Sequence, residues 1–173
     1  MGERPCIFCQ IINKQIPAKI VYEDELVIAL LDINPLALGH TLIIPKKHVE
    51  NIFDIEERDL QHILVVAKKI SLKIKEKLQA DGVNIFQASG KTAEQSIPHF
   101  HLHVIPRRKD DGINWNQWWL TKIKKINDKE LDEIVKLIKI ETEEKPEEEI
   151  KEEKPRERTE EETYWISREL ELG

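Results

Sequence analysis

The sequence fits an α+β fold, and three segments are consistent with it. Residues 20–31 place short apolar runs on either side of the polar Glu23-Asp24-Glu25, the layout of a β-hairpin. Residues 55–80 hold Leu60, Ile63, Leu64, Ala67, Ile70, Ile74 and Leu78 at spacings of three and four, the apolar stripe of one long helix. Residues 99–105 alternate histidine with apolar side chains, the period-two pattern of a strand with two unlike faces.

The remaining elements follow in chain order. Asp32-Ile33-Asn34-Pro35 leaves the hairpin, and Pro35 blocks its continuation. Gly39 precedes a further apolar run, Thr41 to Ile44, stopped by Pro45. Asp54 with Glu57 three residues later predicts a capping-box start for the long helix, and Gly82 its stop. Val83 to Gln87 reads as a strand, and Ala88 to Ile97 as a loop with Gly90 inside and Pro98 at its exit. Trp115, Trp118 and Trp119 fall in a segment without an obvious period. Asp128 opens a short helix with Leu131, Ile134, Val135 and Ile138 on one face. His62 falls among exposed positions of the long helix and reads as a surface residue.

Charge divides the chain. Residues 1–127 carry 18 Lys/Arg against 15 Asp/Glu, whereas residues 128–173 carry 9 against 18. The front part suits a small anionic ligand but lacks the basic excess of a nucleic-acid-binding protein. Residues 142–163 are almost wholly charged or proline and cannot bury enough apolar area to offset their ordering entropy. The expected organisation is a domain over 1–126, a helix over 127–141, a charged linker over 142–163 and a short apolar tail over 164–173. That tail, with Tyr164, Trp165, Ile166 and Leu170, is either a solvated extension or a docking segment for an unidentified partner. No apolar run reaches the roughly 18 residues of a membrane span, and the N-terminus has no secretory pattern, so a cytoplasmic location is expected.

His99, His101 and His103 share one face of an extended segment, with neighbouring side chains about 7 Å apart, while Phe100, Leu102 and Val104 take the other. Histidine suits chemistry because near neutral pH it serves as nucleophile, proton carrier or metal ligand. Cys6 and Cys9, three apart, do not make a disulfide scaffold. Three readings stand for them: half of a zinc site, a redox pair without the usual βαβ context, or two inert buried thiols.

The run His99-Phe100-His101-Leu102-His103-Val104-Ile105 resembles the signature of the histidine-triad family. So do Cys6-Ile7-Phe8-Cys9, Asp32-Ile33-Asn34-Pro35, the stretch Gly39 to His48 and Gln95-Ser96, in order and spacing over residues 5–119. The chain is most similar to the zinc-carrying prokaryotic relatives of the Hint branch. That resemblance implies an antiparallel sheet of about five strands with one long helix packed on it, assembled as a homodimer. It implies that His101 attacks the α-phosphorus of a purine nucleotide. His103 then contacts the phosphate, and His99 supports the site from the same segment. It further implies that Ser96 meets the phosphate or leaving group, with Gln95 beside it, and that Asp32 and Ile33 lie at the ribose and base. Cys6, Cys9, His48 and His99 are implied as the ligands of one structural zinc per chain, with His40 a hydrogen-bonding support for the triad.

The implied reaction is removal of AMP from an amine. A dinucleoside polyphosphate hydrolase or phosphorylase, or a weakly active nucleotide sensor or scaffold, are the other readings. Two departures from the family pattern bear on them: Glu94 stands where relatives often have glycine, and Ala88 where many carry an amide. The three tryptophans either shape the leaving-group side of the site or cap the core and dimer seam.

Overall fold

The computed structural model describes residues 6–124 and 126–140. The linker and apolar tail expected over 142–163 and 164–173 lie outside the described residues. The chain divides into two compact units, Met1–Leu120 and Thr121–Gly173.

The first unit is α+β, as the sequence predicts. Its five strands are β1 (Ile20–Glu23), β2 (Val27–Leu31), β3 (Thr41–Pro45), β4 (Gly82–Phe86) and β5 (Leu102–Arg107). They form one antiparallel sheet in the order β1-β2-β3-β5-β4. The long helix α2 (Glu57–Leu78) covers one face of it. Val27, Ala29, Ile43, Phe100, Leu102 and Val104 meet Ile63, Val66, Ala67 and Ile74 in that core. The short helix α1 (Ile7–Ile12) closes the other face, where Phe8 packs with Ile28, Leu30, Leu42 and Ile44. β2 and β3 are apolar almost throughout because both of their faces are covered.

Several boundaries differ from the sequence reading. The N-cap of α2 is Glu56, which makes no side-chain cap bond, so the Asp54/Glu57 capping box does not form. Its C-cap is Gln79, left-handed at φ 51°, while Gly82 opens β4 instead of stopping the helix. The β5 ladder begins only at Leu102, because Pro98 and the bend at His99 keep the first histidines out of the pairing. The alternation of faces nevertheless holds through 99–104. The tryptophan segment is a single-turn helix, α3 (Trp115–Leu120), with the Asn114 side chain accepting from the Gln117 amide at its start. His62 is not a plain surface residue: its Nε2 lies 2.7 Å from the Asp24 carboxylate, which also accepts from the Tyr22 hydroxyl and the Leu26 and Val27 amides. That clasp ties the β1–β2 turn to α2.

Gly39 precedes β3 at φ 92°, and a Cβ there would stand 2.4 Å from the Leu78 side chain. Only glycine lets the end of α2 come this close to the loop that leads into β3. In the second unit, α4 (Asp128–Ile138) carries the expected apolar stripe and is opened by a reciprocal capping box between Asn127 and Glu130. Among the described residues no helix is long and apolar enough to cross a membrane.

Candidate active site and metal centre

Two clusters of ring nitrogens flank His101 on the sheet face opposite α2. In the first, α1 brings Cys6 and Cys9, the segment after β3 brings His48, and the approach to β5 brings His99. Cys6 Sγ lies 3.4 Å from His99 Nδ1, Cys9 Sγ 3.3 Å from His48 Nδ1 and 3.6 Å from His99 Nδ1, and the two Nδ1 atoms 3.1 Å apart. Four ligands bound to one tetrahedral zinc sit about 3.3–3.8 Å from one another, given bond lengths of about 2.0–2.3 Å. The set is therefore sized for such an ion, and two sulfurs with two imidazoles are donors that zinc accepts. The His99 ring is oriented toward this cluster from behind: its Nε2–H donates to the Pro45 carbonyl at 2.9 Å, leaving the Nδ1 lone pair facing the cluster. Burial holds that ring's pKa down at about 4. Beside it, burial and the neighbouring Cys6 push the Cys9 thiol up.

The second cluster is Asp32, His40 and His103. The Leu36 amide donates to His40 Nδ1 at 3.2 Å, so in the neutral ring the hydrogen sits on Nε2. That Nε2–H donates to His103 Nδ1 at 2.9 Å, which leaves His103 with its own hydrogen on Nε2. The Asp32 carboxylate stands 3.7 Å from His40 Nδ1 and accepts from the Asn34 amide. Burial lowers the pKa of His40, and that of His103 to about 4.

Between the clusters, His101 is 4% exposed. Its Nδ1 lies 2.7 Å from the His99 main-chain carbonyl. A carbonyl only accepts, so the hydrogen is on Nδ1 and the Nε2 lone pair is free. Burial lowers this ring's pKa as well, which keeps the lone pair unprotonated near neutrality. Phe8 meets the rings of His101 and His99 edge-on, at centroid distances of 5.3 and 5.8 Å. The sequence reading missed Phe8 as part of the site. The available signal was its position between two prospective metal ligands, Cys6 and Cys9.

The structure thus brings His99, His101, His103, His40 and Asp32 together, and Cys6, Cys9 and His48 with His99. Ile33 is 86% exposed on the loop after β2, and Ser96 is exposed on the loop before β5. Gln95 is spent on main-chain groups: its amide accepts from the Gly90 amide and donates to the Ile97 carbonyl within the loop, and donates to the Glu50 carbonyl on the segment after β3. Ser89, next to the departure at Ala88, accepts from the Ile52 amide and donates to Gln87. Glu94 is left-handed at φ 64°, the conformation glycine would take without strain. Of the tryptophans, Trp115 lies nearly parallel to Phe86, whose ring is 5.8 Å from that of His103.

A five-stranded antiparallel sheet with one covering helix, carrying alternating buried imidazoles beside a Cys/His cluster, defines a small α+β protein built around a histidine strand. The HIT domain model matches residues 13–110, and the chain belongs to that family. An uncharacterized HIT-like protein from Methanocaldococcus jannaschii is 44% identical over 134 residues, covering 78% of this chain and 98% of the relative. A zinc-bound histidine triad family protein from Mycobacterium smegmatis matches in structure with a TM-score of 0.62 and 40% identity, over 66% of this chain and 83% of that one. A HIT family hydrolase from Legionella pneumophila matches at a TM-score of 0.55 and 38% identity, over 64% of this chain and 97% of that one.

Proposed function

We propose that this protein is a nucleotide hydrolase that releases a nucleoside monophosphate, AMP foremost, from an amine through a covalent nucleotidyl-histidine at His101. One observation carries the reading: the His101 Nδ1–H is tied to the His99 carbonyl, so Nε2 offers an unprotonated lone pair from a rigid, buried ring. Attack of that lone pair on the α-phosphorus forms an N–P bond while the bond to the amine breaks, the amine leaving with a proton from solvent that the water of the second half gives back. Water then attacks the phosphorus, the N–P bond breaks, and His101 returns to its starting state. His103, with its hydrogen held on Nε2 by His40, donates to a phosphoryl oxygen as charge builds there. Asp32 and Ile33 serve the ribose and base, and Ser96 the phosphate or leaving group.

Cys6, Cys9, His48 and His99 are the residues that would hold one zinc ion per chain. The ion would supply structural cross-linking and no chemistry on the substrate, since all four positions of its shell are taken by protein. These residues tie α1 and the segment after β3 to the approach to β5, and so fix the His99 carbonyl that orients His101. A homodimer fits the exposed edge of the sheet. Among the described residues β4 has a partner on one side only, Ile85 and Phe86 are about half exposed, and Leu64 and Val65 of α2 are similarly open.

The test is to trap labelled nucleotide during turnover of an adenosine phosphoramidate, with diadenosine polyphosphate in a parallel arm. An acid-labile adduct in the native protein that is lost in His101→Ala supports the reading. No adduct with either substrate would leave a nucleotide sensor or scaffold, while an adduct formed only from the dinucleotide would move the substrate class.

A further inference from the structure

On the α2 side of the sheet, away from the histidines, lies a cavity of about 790 Å³ between the second half of α2 and the ends of β1, β2 and β3. Its size falls within the range of small-molecule sites, roughly 300–1,000 Å³. Its walls are aliphatic: Val21 and Leu31 from the sheet, and Ile70, Leu72, Ile74 and Leu78 from α2. Val21, Leu31, Leu72 and Leu78 each leave a third to three-fifths of their surface open, so the apolar lining is not closed among the described residues. One rim is cationic. Lys69, Lys73 and Lys77 stand at successive i, i+4 steps along α2, on one side of the helix. Glu76 pairs with Lys73 at 3.3 Å and with Lys77 at 2.6 Å, which leaves Lys69 as the rim cation with no ion pair among the described residues.

We infer that this groove binds a monomeric single-chain amphiphile, its aliphatic tail along the leucines and its carboxylate head at Lys69. The lining excludes a polar ligand, because burying unpaired polar groups against leucine is costly. The rim selects the sign of the head, since three lysines against one glutamate leave an excess of positive charge. The stretch of α2 from Lys69 to Leu78 spans roughly 13 Å at 1.5 Å per residue, so the walls suit an extended chain better than a compact ring. β1, the strand beside the groove, is only four residues long and its pairing is interrupted by a bulge. That makes it a poor template for an added peptide strand.

The groove also touches both ends of the loop that carries Asp32 and Ile33: Leu31 precedes that loop, and Gly39 and Thr41 close it. The loop is drawn shut by the Asp32 amide on the His40 carbonyl at 3.0 Å. An occupant therefore reports at the main chain of 31, 39 and 41, which gives the experiment a local readout.

The experiment titrates sodium decanoate, below its micelle concentration, into the full-length protein and follows heat and backbone amide resonances. Saturable one-to-one binding is expected, with shifts centred on Leu31, Gly39 and Thr41. Lys69→Glu weakens it at least tenfold, Leu72→Asn weakens it several-fold, and decyltrimethylammonium fails to compete. Both variants change half-exposed or fully exposed helix positions, and unchanged thermal unfolding confirms that they fold. The inference is overturned by non-saturable binding, by equal binding of the cationic amphiphile, or by an unaltered affinity in Lys69→Glu. It is equally overturned if Leu72→Asn changes the oligomeric state, which makes the groove an interface between copies. Association with anionic phospholipid vesicles without decanoate binding overturns it too, by assigning the face to a bilayer.

Discussion

The two clusters beside His101 use the same residue type for different ends, and the difference lies in where the hydrogens are. Around His99, the ring's one hydrogen is drawn away to the Pro45 carbonyl, and lone pairs of nitrogen and sulfur converge on a common point. Such a set is stable around a cation and repulsive without one. Around His103, donors and acceptors alternate from the Leu36 amide through His40 to His103, and the chain ends in the His103 Nε2–H. That set needs no ion. A histidine's role is thus decided by the partner on its far nitrogen: the Pro45 carbonyl for His99, and the His40 ring, itself set by the Leu36 amide, for His103.

Substitutions can break this comparison in order of expected effect. Removing the shared target, His101→Ala, lowers steady-state hydrolysis by at least about a thousandfold, as loss of a covalent nucleophile does. Zinc content by elemental analysis stays near one per chain, and loss of metal in this variant would mean the clusters are not separate. Next, Cys9→Ser is expected to drop bound zinc toward zero and to lower the melting temperature by about 10 °C, from about 2 kcal/mol of lost linkage. A metal-free native protein that melts at the same temperature as the variant would remove the cation from the first cluster. His40→Phe then tests the second cluster alone. It frees His103 to take the other tautomer, so kcat falls about ten- to a hundredfold with zinc retained. Loss of zinc together with kcat would count against the division.

The smallest effect comes from a control outside both clusters. Burial alone would raise the Asp24 carboxyl pKa, but its bonds from Tyr22, Val27, His62 and Leu26 outweigh that and hold it well below the ordinary value near 4. A lowered folded-state pKa means that Asp24 contributes its stability above about pH 4, and that this is lost as pH falls toward the folded value. Asp24→Asn should cost about 1–3 kcal/mol at neutral pH, flatten the acid limb of stability, and leave zinc content and kcat unchanged. A full acid limb in Asp24→Asn would show that another carboxylate governs it.

Where the sequence could be read, periodicity made it so. The stripes of α2 and α4 and the alternation over 99–104 survive because burial on one side enforces them whatever the ends of the elements do. The ends were not legible. Glu56 and Gln79 begin and end α2 without the residues that favour those positions, because packing against the sheet outweighs capping preferences worth about 1 kcal/mol. Within the site, the three histidines and the Cys6/Cys9 pair were visible from their types and spacing, and the four-ligand set only from the resemblance. The resemblance brought in His48 and His40. The His62–Asp24 clasp was not visible, since a histidine on an exposed helix face carries no pattern of its own, and Phe8 was marked only by its place between Cys6 and Cys9. Gln95 shows the opposite case: it belongs to a family motif, yet its amide spends its bonding capacity on main-chain groups of its own loop and of the segment after β3.

That bracing has a consequence for Glu94, which it adjoins. A side chain held in the left-handed region costs roughly 1–2 kcal/mol relative to ordinary backbone. The turn from Gly90 to Gln95 is therefore under tension, like a spring kept bent by the three bonds of one glutamine amide. Opening of those bonds would let this turn relax and carry the Glu94 carboxylate with it.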